Sequence, residues 1–348
     1  MNNLLKTNRR PPWKLVLVAA IVVVAVAFAL LGWFLALQPV TLEGPGRAQV
    51  VEIESGHSVA QIAAEFQQKG LVRHAWAFRL EAYLSRNAAG LKAGTYQLSD
   101  AMTTPEIVTA VATGKSALRK VTIPEGLTLR ETLELLAKNE VASVPDLYGA
   151  ASLDEIQKVL GATLPAQAGD AEGFLFPDTY FFAKNDDPTR VVETLLTTFK
   201  DKFYDPLWLP ASTQKPWGSL YQVVILASIV EREARVDAER PLIAGVLVGR
   251  LKKGMALQAD ATVEYALGAH KAHVSLADLK VPSPYNTYLN KGLPPAPICE
   301  PGLPSLKAAL NPQPTDNLFY FAPPGSKTHL FSKTFAEHSA KIKAARGR

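Results

Sequence analysis

A carboxylic acid can protonate a leaving-group oxygen near neutral pH only if its surroundings keep it from ionising early. The run "ILASIVEREAR" at 225–235 offers that chemistry, because aliphatic side chains lead directly into Glu231 and Glu233. The length and composition of 220–235 predict a helix. Residues two apart on a helix lie about 200° apart around its axis, so the two acids point to nearly opposite sides. Glu231 has Arg235 four positions on, the favourable order for a surface ion pair. Glu233 follows the stripe of Ile225, Leu226, Ile229 and Val230, with Asp237 rather than a base four positions on. An acid on an apolar stripe, beside a like charge and without a cation, has a raised pKa. The plainer reading is a helix end emerging into solvent, and local physics alone does not decide between the two.

Other polar groups suited to a sugar lie downstream. "LQADATVEYALG" sets Gln258 and Asp260 on a strand or loop ahead of a helix. "SPYNTYLNKGLPPAPICEPG" (283–302) carries Tyr285, Asn286, Thr287 and Tyr288 before a proline-rich tail. Long ordered loops in compact domains tend to be functional, and amide and phenol groups suit the hydroxyls and acetamides of an amino sugar. "EGFLFPDTYFF" (172–182) gathers Phe174, Phe176, Tyr180, Phe181 and Phe182, most of them core by expectation, with one or two available as a groove wall. The six histidines show no metal spacing such as H-E-x-x-H, and Cys299 has no second thiol or histidine beside it, so neither a metal nor an organic cofactor is expected. Cys299 reads as a small buried apolar residue.

Several elements must position these groups. "VEIESGHSVAQIAAEF" from Val51 and "VTIPEGLTLRETLELL" from Val121 share an alternating apolar start, a glycine turn and a helical period. Ser58 with Gln61, Thr103 with Glu106 and Thr128 with Glu131 fit the capping box, in which a hydroxyl and an N3 side chain satisfy free helix-terminal amides. Between 50 and 98 the order is strand, helix, helix, strand, which resembles the LysM module, a small βααβ fold that grips N-acetylglucosamine-containing glycans. Residues 140–170 read as helical. A second helix is expected from Pro241 to Lys253, and "NLFYFAP" with "THLFSKTFAEH" as a terminal hairpin and helix.

Residues 15–37 carry no charge, and about 20 apolar residues suffice to cross a bilayer as a helix. Trp13 and Trp33 lie near its ends, where indole favours the interface. A cleaved signal peptide would have a shorter apolar stretch, of about 7–15 residues, so an uncleaved anchor is expected. Lys6, Arg9, Arg10 and Lys14 precede it without an acid, which predicts a cytoplasmic N-terminus with the rest outside. This tail supplies four of the five net positive charges. The pI near 9.1 therefore does not point to nucleic acid, since the outer portion is almost balanced. The expected class is α+β: a tail at 1–14, a single transmembrane helix at 15–37, a linker at 38–49, a LysM-like subdomain at 50–98, and a mixed α/β catalytic domain with a glutamate-bearing helix at 99–345.

The blocks "EGFLFPDTY", "LASIVERE", "LQADATVEYALG", "SPYNTYLNKGLPPAPICEPG" and "FYFAPPGSKTHLFSKTFAEH", in that order behind an anchor, resemble the YceG-like (MltG) endolytic murein transglycosylases. The resemblance covers nearly the whole chain beyond the anchor. It implies cleavage of the β-1,4 bond between N-acetylmuramic acid and N-acetylglucosamine inside nascent peptidoglycan strands, without water, leaving 1,6-anhydro ends and ending strand elongation. The family's acid is the second glutamate of its "ASI-x-E-K-E" block, which falls on Glu233. Gln258, Asp260, Tyr285, Asn286 and Tyr288 match block positions and are carried over as groove residues. Arg232 stands where lysine is usual, Ala234 where threonine is common, and Ala261 where proline is usual. The implied setting is the inner membrane with the catalytic domain outside, and the implied partners are peptidoglycan strands and glycan polymerases or penicillin-binding proteins. Two alternatives stay open. One is a muramidase-type hydrolase using Glu231, Asp260 or Glu264 as second carboxylate; the other is a non-catalytic membrane-anchored glycan-binding scaffold.

Overall fold

The computed structural model describes residues 12–42, 44, 46–114, 117–212, 217–271 and 273–346. Lys6, Arg9 and Arg10, on which the expected orientation rests, lie outside the described residues, as does the side chain of Lys14. Helix α1 (Pro12–Leu37) contains an apolar span, Val16–Leu37, long enough to cross a membrane. Val16, Val22, Phe28 and Leu31 are all mostly exposed. A helix apolar on every side and covered by no core needs an apolar solvent, so α1 fits a single-pass membrane anchor.

The chain divides into two compact units, Met1–Leu118 and Arg119–Arg348. In the first, β1 (Ala48–Ile53), α2 (Val59–Gln68), α3 (Ala75–Leu84) and β2 (Gly94–Ser99) follow in order. The strands pair antiparallel from Ala48 opposite Ser99 to Ile53 opposite Gly94. Their inward residues Val51, Ile53, Tyr96 and Leu98 close over Ile62 and Phe66 of α2 and Phe78 of α3. Helix α4 (Thr104–Thr113) follows, and its Ile107 and Val111 complete this core. Both expected capping boxes are formed, at Ser58–Gln61 and Thr103–Glu106.

The boundary between the units falls within β3 (Ala117–Thr122). Next come α5 (Leu129–Lys138), opened by the Thr128–Glu131 capping box, α6 (Val144–Ala150) and α7 (Leu153–Leu160). Strand β4 (Thr179–Ala183) leads to α8 (Pro188–Phe199), a π-helical stretch over Lys200–Trp208 and the single turn α9 (Leu209–Ser212). Helix α10 (Leu220–Glu233) runs through the middle of the second core, with Leu220, Tyr221 and Val223 to Val230 all buried. Helices α11 (Arg240–Lys252), α12 (Asp260–Leu267) and α13 (Leu303–Leu310) pack around it. A helix covered on every side reads as continuously apolar, so "ILASIV" carries no one-sided stripe. The two glutamates come where α10 leaves that core, as Ala234 turns to an extended conformation with ψ 133°. The chain closes with an antiparallel hairpin, β5 (Phe319–Phe321) and β6 (Leu330–Ser332), and α14 (Phe335–Arg346).

Two expectations are corrected. Phe174, Phe176, Tyr180 and Phe182 are core, as expected of most of that cluster, but neither they nor the partly exposed Phe181 line the groove described below. Glu231 does not pair with Arg235. Its Oε1 meets Arg240 Nη1 at 3.1 Å and its Oε2 accepts from the Gly302 amide at 3.0 Å, whereas Arg235 donates to the Ser326 carbonyl. Tertiary neighbours outbid the i,i+4 partner because Glu231 is nearly buried (6% side-chain exposure) and needs a buried cation.

Gly173 in the "EGF" turn has φ +87°, and a Cβ there would lie 2.6 Å from Pro297 Cβ and 2.8 Å from Val224 Cγ1. Gly173→Ala is expected to cost about 2–4 kcal/mol, from the left-handed backbone and overpacking together. Chemical denaturation of the full chain measures it, and a loss below about 1 kcal/mol would contradict the packing described.

Candidate active site

The end of α10, the loop before α12 and the β5–β6 hairpin form an open groove in the second unit. Its wall includes Glu233, Arg250, Gln258, Asp260, Glu264, Tyr288 and Tyr320. Glu233 faces into it while Glu231 faces Arg240. The opposition of the two acids thus follows from their two-residue spacing. Tyr320 Oη donates to Glu233 Oε2 at 3.2 Å, and the Ala261 amide, in the first turn of α12, donates to the same carboxylate. Burial and the nearby charge of Asp260 push the Glu233 pKa up to about 7, against the pull of those two hydrogen bonds. The larger like charge is therefore Asp260, with Glu264 adding to it. Asp237, named from the sequence, is engaged with Arg240 Nε at 2.9 Å.

Asp260 is held in turn by Tyr288, whose hydroxyl donates to Oδ1 at 2.5 Å. Gln258 reaches the groove through a left-handed backbone, φ +50°. Its amide donates to the Thr287 carbonyl at 3.1 Å. A non-glycine residue in that region costs about 1–2 kcal/mol, which the surrounding contacts must offset. One of those contacts is Arg250, a buried side chain on α11. It donates to the carbonyls of Leu318 (2.6 Å), Leu257 (2.8 Å) and Ala256 (3.2 Å), and reaches Gln258 Oε1 at 3.4 Å. Its guanidinium lies 5.1 Å from the Phe319 ring centre. One cation therefore ties the hairpin to the loop that carries Gln258 and leads into Asp260 at the start of α12.

Of the residues expected in the groove, Glu233, Gln258, Asp260 and Tyr288 are brought together. Tyr285 and Asn286 do not line it. Asn286 is fully buried, its amide donating to the Leu279 and Val281 carbonyls and its oxygen accepting from the Tyr288 amide. It shapes the loop that presents Tyr288. The Tyr285 ring packs against that of Tyr265, tilted by 51° with centres 4.7 Å apart. Tyr320 and Arg250 were not among the expected groove residues: Tyr320 lies in the "FYFAPPG" block, but nothing local links it to Glu233, 87 residues earlier.

Two further acids hold the blocks against each other. Fully buried Glu300, from "ICEPG", accepts from the Leu175 amide at 2.9 Å and from the Gly173 amide, both in "EGFLF". Glu172 accepts from the Leu129 amide at 2.8 Å and from Tyr265 Oη at 3.0 Å, and burial lifts its pKa to about 8. Cys299 is buried too, with Sγ 3.3 Å from the Ser228 carbonyl.

The Tyr320 and Asp260 interactions act on Glu233 in opposite senses. Tyr320→Phe removes a donor to the ionised form, so the pH optimum should move up by roughly one unit. Asp260→Asn removes the like charge and should move it down. Superimposable pH–rate profiles for both variants and the unaltered chain would rule out this coupling.

A mixed α/β unit with a largely desolvated glutamate in an open groove walled in part by Tyr288 and Tyr320 defines the class of protein by its architecture and its site. Within that class the chain belongs to the YceG-like family, whose model matches residues 51–344. It is 32% identical over 301 residues to a Bacillus subtilis protein named endolytic murein transglycosylase, covering 83% of this chain and 82% of the relative. A Streptococcus pneumoniae protein of the same name is 29% identical, and the chain spans 54% of its length. The crystal structure of a yceG-like protein from Listeria monocytogenes matches with TM-score 0.59 at 32% identity, over 85% of this chain and 99% of that one.

Proposed function

We propose that the chain is a membrane-anchored endolytic peptidoglycan transglycosylase with Glu233 as its acid and base. The observation that carries this is the largely desolvated Glu233 carboxyl in the groove wall, held by Tyr320 beside Asp260, surroundings that push its pKa up to about 7. A group that must give a proton and then take one works best with a pKa near the working pH. Protonated Glu233 gives its proton to the glycosidic oxygen between N-acetylmuramic acid and N-acetylglucosamine. The C6 hydroxyl of the same muramic acid attacks C1 as the bond to that oxygen breaks, and the ionised Glu233 takes the hydroxyl proton. The products are a free 4-hydroxyl and a 1,6-anhydro end, and Glu233 is protonated again. The 2-acetamido group shares the positive charge at C1 in between. Tyr320 holds one carboxylate oxygen through both steps. Gln258 and Tyr288 bind sugar hydroxyls or acetamides. The β1–α2–α3–β2 segment grips the strand further along, the N-terminus is cytoplasmic, and glycan polymerases are the partners that present nascent strands.

Hydrolysis is the second reading, favoured by one observation: the groove that contains Glu233 also contains Asp260 and Glu264. A second carboxylate is what a water-using glycosidase needs. Reconstituted full-length protein incubated with un-crosslinked glycan strands, with mass spectrometry of the new ends, tests both. Anhydro ends support the transglycosylase and reducing muramic acid ends the hydrolase. Glycan binding with no new ends would leave only a scaffold.

A further inference from the structure

Helix α3 covers the first core with Ala77, Phe78 and Ala82. Its opposite side shows Trp76, Leu80, Tyr83 and Leu84, each more than two-fifths exposed. Their spacing of i, i+4, i+7 and i+8 makes one continuous apolar stripe about 100° wide. Arg79 borders it and Arg86 follows the helix, both exposed and neither in an ion pair among the described residues.

The position of this stripe follows from α1. Trp33 lies four residues before the end of the apolar span, at the depth where indole prefers the interface. Its ring centre is 5.9 Å from that of Trp76. The α1 exit is fixed there: Arg73, just before α3, donates to the carbonyls of Pro39 (2.7 Å) and Val40 (3.3 Å). The Thr41 amide donates to the Asp100 carbonyl at 3.0 Å. Ala36 near the end of α1 is buried.

We propose that the exposed stripe of α3 is a second membrane contact, seated in the headgroup region of the outer leaflet beside α1, with Arg79 and Arg86 against lipid phosphates. The apolar stripe takes the acyl boundary and the flanking cations take the anionic headgroups, as in helices that lie in the interface plane. With two contacts, the first unit is held at a fixed depth instead of swinging on the α1 exit. The inference rests on α1 being a membrane anchor.

The test uses the full chain with Cys299→Ala, reconstituted in phosphatidylethanolamine–phosphatidylglycerol bilayers. Single nitroxide labels are placed at Leu80→Cys and Leu84→Cys, at Val23→Cys inside α1, and at Asp205→Cys as an exposed reference in the second unit. Collisions with lipid-soluble oxygen should exceed those with a water-soluble nickel chelate at 23, 80 and 84, with the order reversed at 205. Labels at 80 and 84 as wet as 205 while 23 is in lipid would overturn the proposal. Shielding of 80 and 84 from both reagents, with spin–spin coupling, would overturn it in favour of a second copy on the stripe. A wet label at 23 would instead remove the anchor and the proposal with it.

Discussion

Glu233→Gln is expected to lower strand cleavage by roughly 10³–10⁴-fold, since one group is asked to act as both acid and base. The amide keeps the shape and can still accept from Tyr320, so binding of glycan strands should change little. Stability supplies an independent check. The folded pKa of Glu233 is about 7, above the roughly 4.3 of an unfolded glutamate. The folded state therefore holds the proton more tightly. Its advantage is complete below the unfolded value and is lost as pH rises through the folded one. Above pH 7 the Gln variant should consequently be more stable than the unaltered chain by about 1–3 kcal/mol, a difference that fades towards pH 4. Thermal unfolding at pH 4.5 and pH 8 measures this. An inactive variant that is also less stable at pH 8 would show that Glu233 supports the fold instead of working at its expense.

The second large effect is expected at Arg250. Arg250→Met keeps much of the apolar stem but leaves the Leu318 and Leu257 carbonyls without their donor. Stranding buried acceptors at about 1–3 kcal/mol each predicts a loss of roughly 3–5 kcal/mol. In a unit of this size that amounts to a fall in melting temperature of about 6–20 °C. Activity should fall even where the variant remains folded, because Arg250 ties the loop that carries Gln258 and leads into Asp260 to the hairpin that carries Tyr320. Its positive charge also favours ionised Glu233, so the residual activity should have a more alkaline optimum. Arg250→Met with an unchanged melting temperature would mean that the hairpin and loop are held by other contacts.

Much of the local structure was legible because its causes are local. A helix start is written in its hydroxyl and N3 residue, and the capping boxes at Ser58, Thr103 and Thr128 formed where their spacing placed them. The opposition of Glu231 and Glu233 needed only the helical repeat. The uncharged run at 15–37 needed only its length, and α1 follows it. The ordered blocks carried the family, which the comparisons bear out over residues 51–344.

What surrounds those elements was decided by tertiary structure. Electrostatic and hydrogen-bond partners are chosen by distance in space, and burial raises the cost of every unmet polar group. Glu231 took Arg240 and Gly302 in place of Arg235, and Asp260 in place of Asp237 became the like charge beside Glu233. Asn286 matched the family pattern as Tyr288 did, yet one was turned inward to brace a loop and the other outward into the groove. The roles of Tyr320 and Arg250 could not be read from their own neighbourhoods, although Tyr320 lies in a quoted block, because those roles arise only when the hairpin returns to the end of α10. The sequence by itself determined the helix, its apolar body and the two opposed acids at its end. Only the folded chain selected the surroundings that hold Glu233 near neutrality.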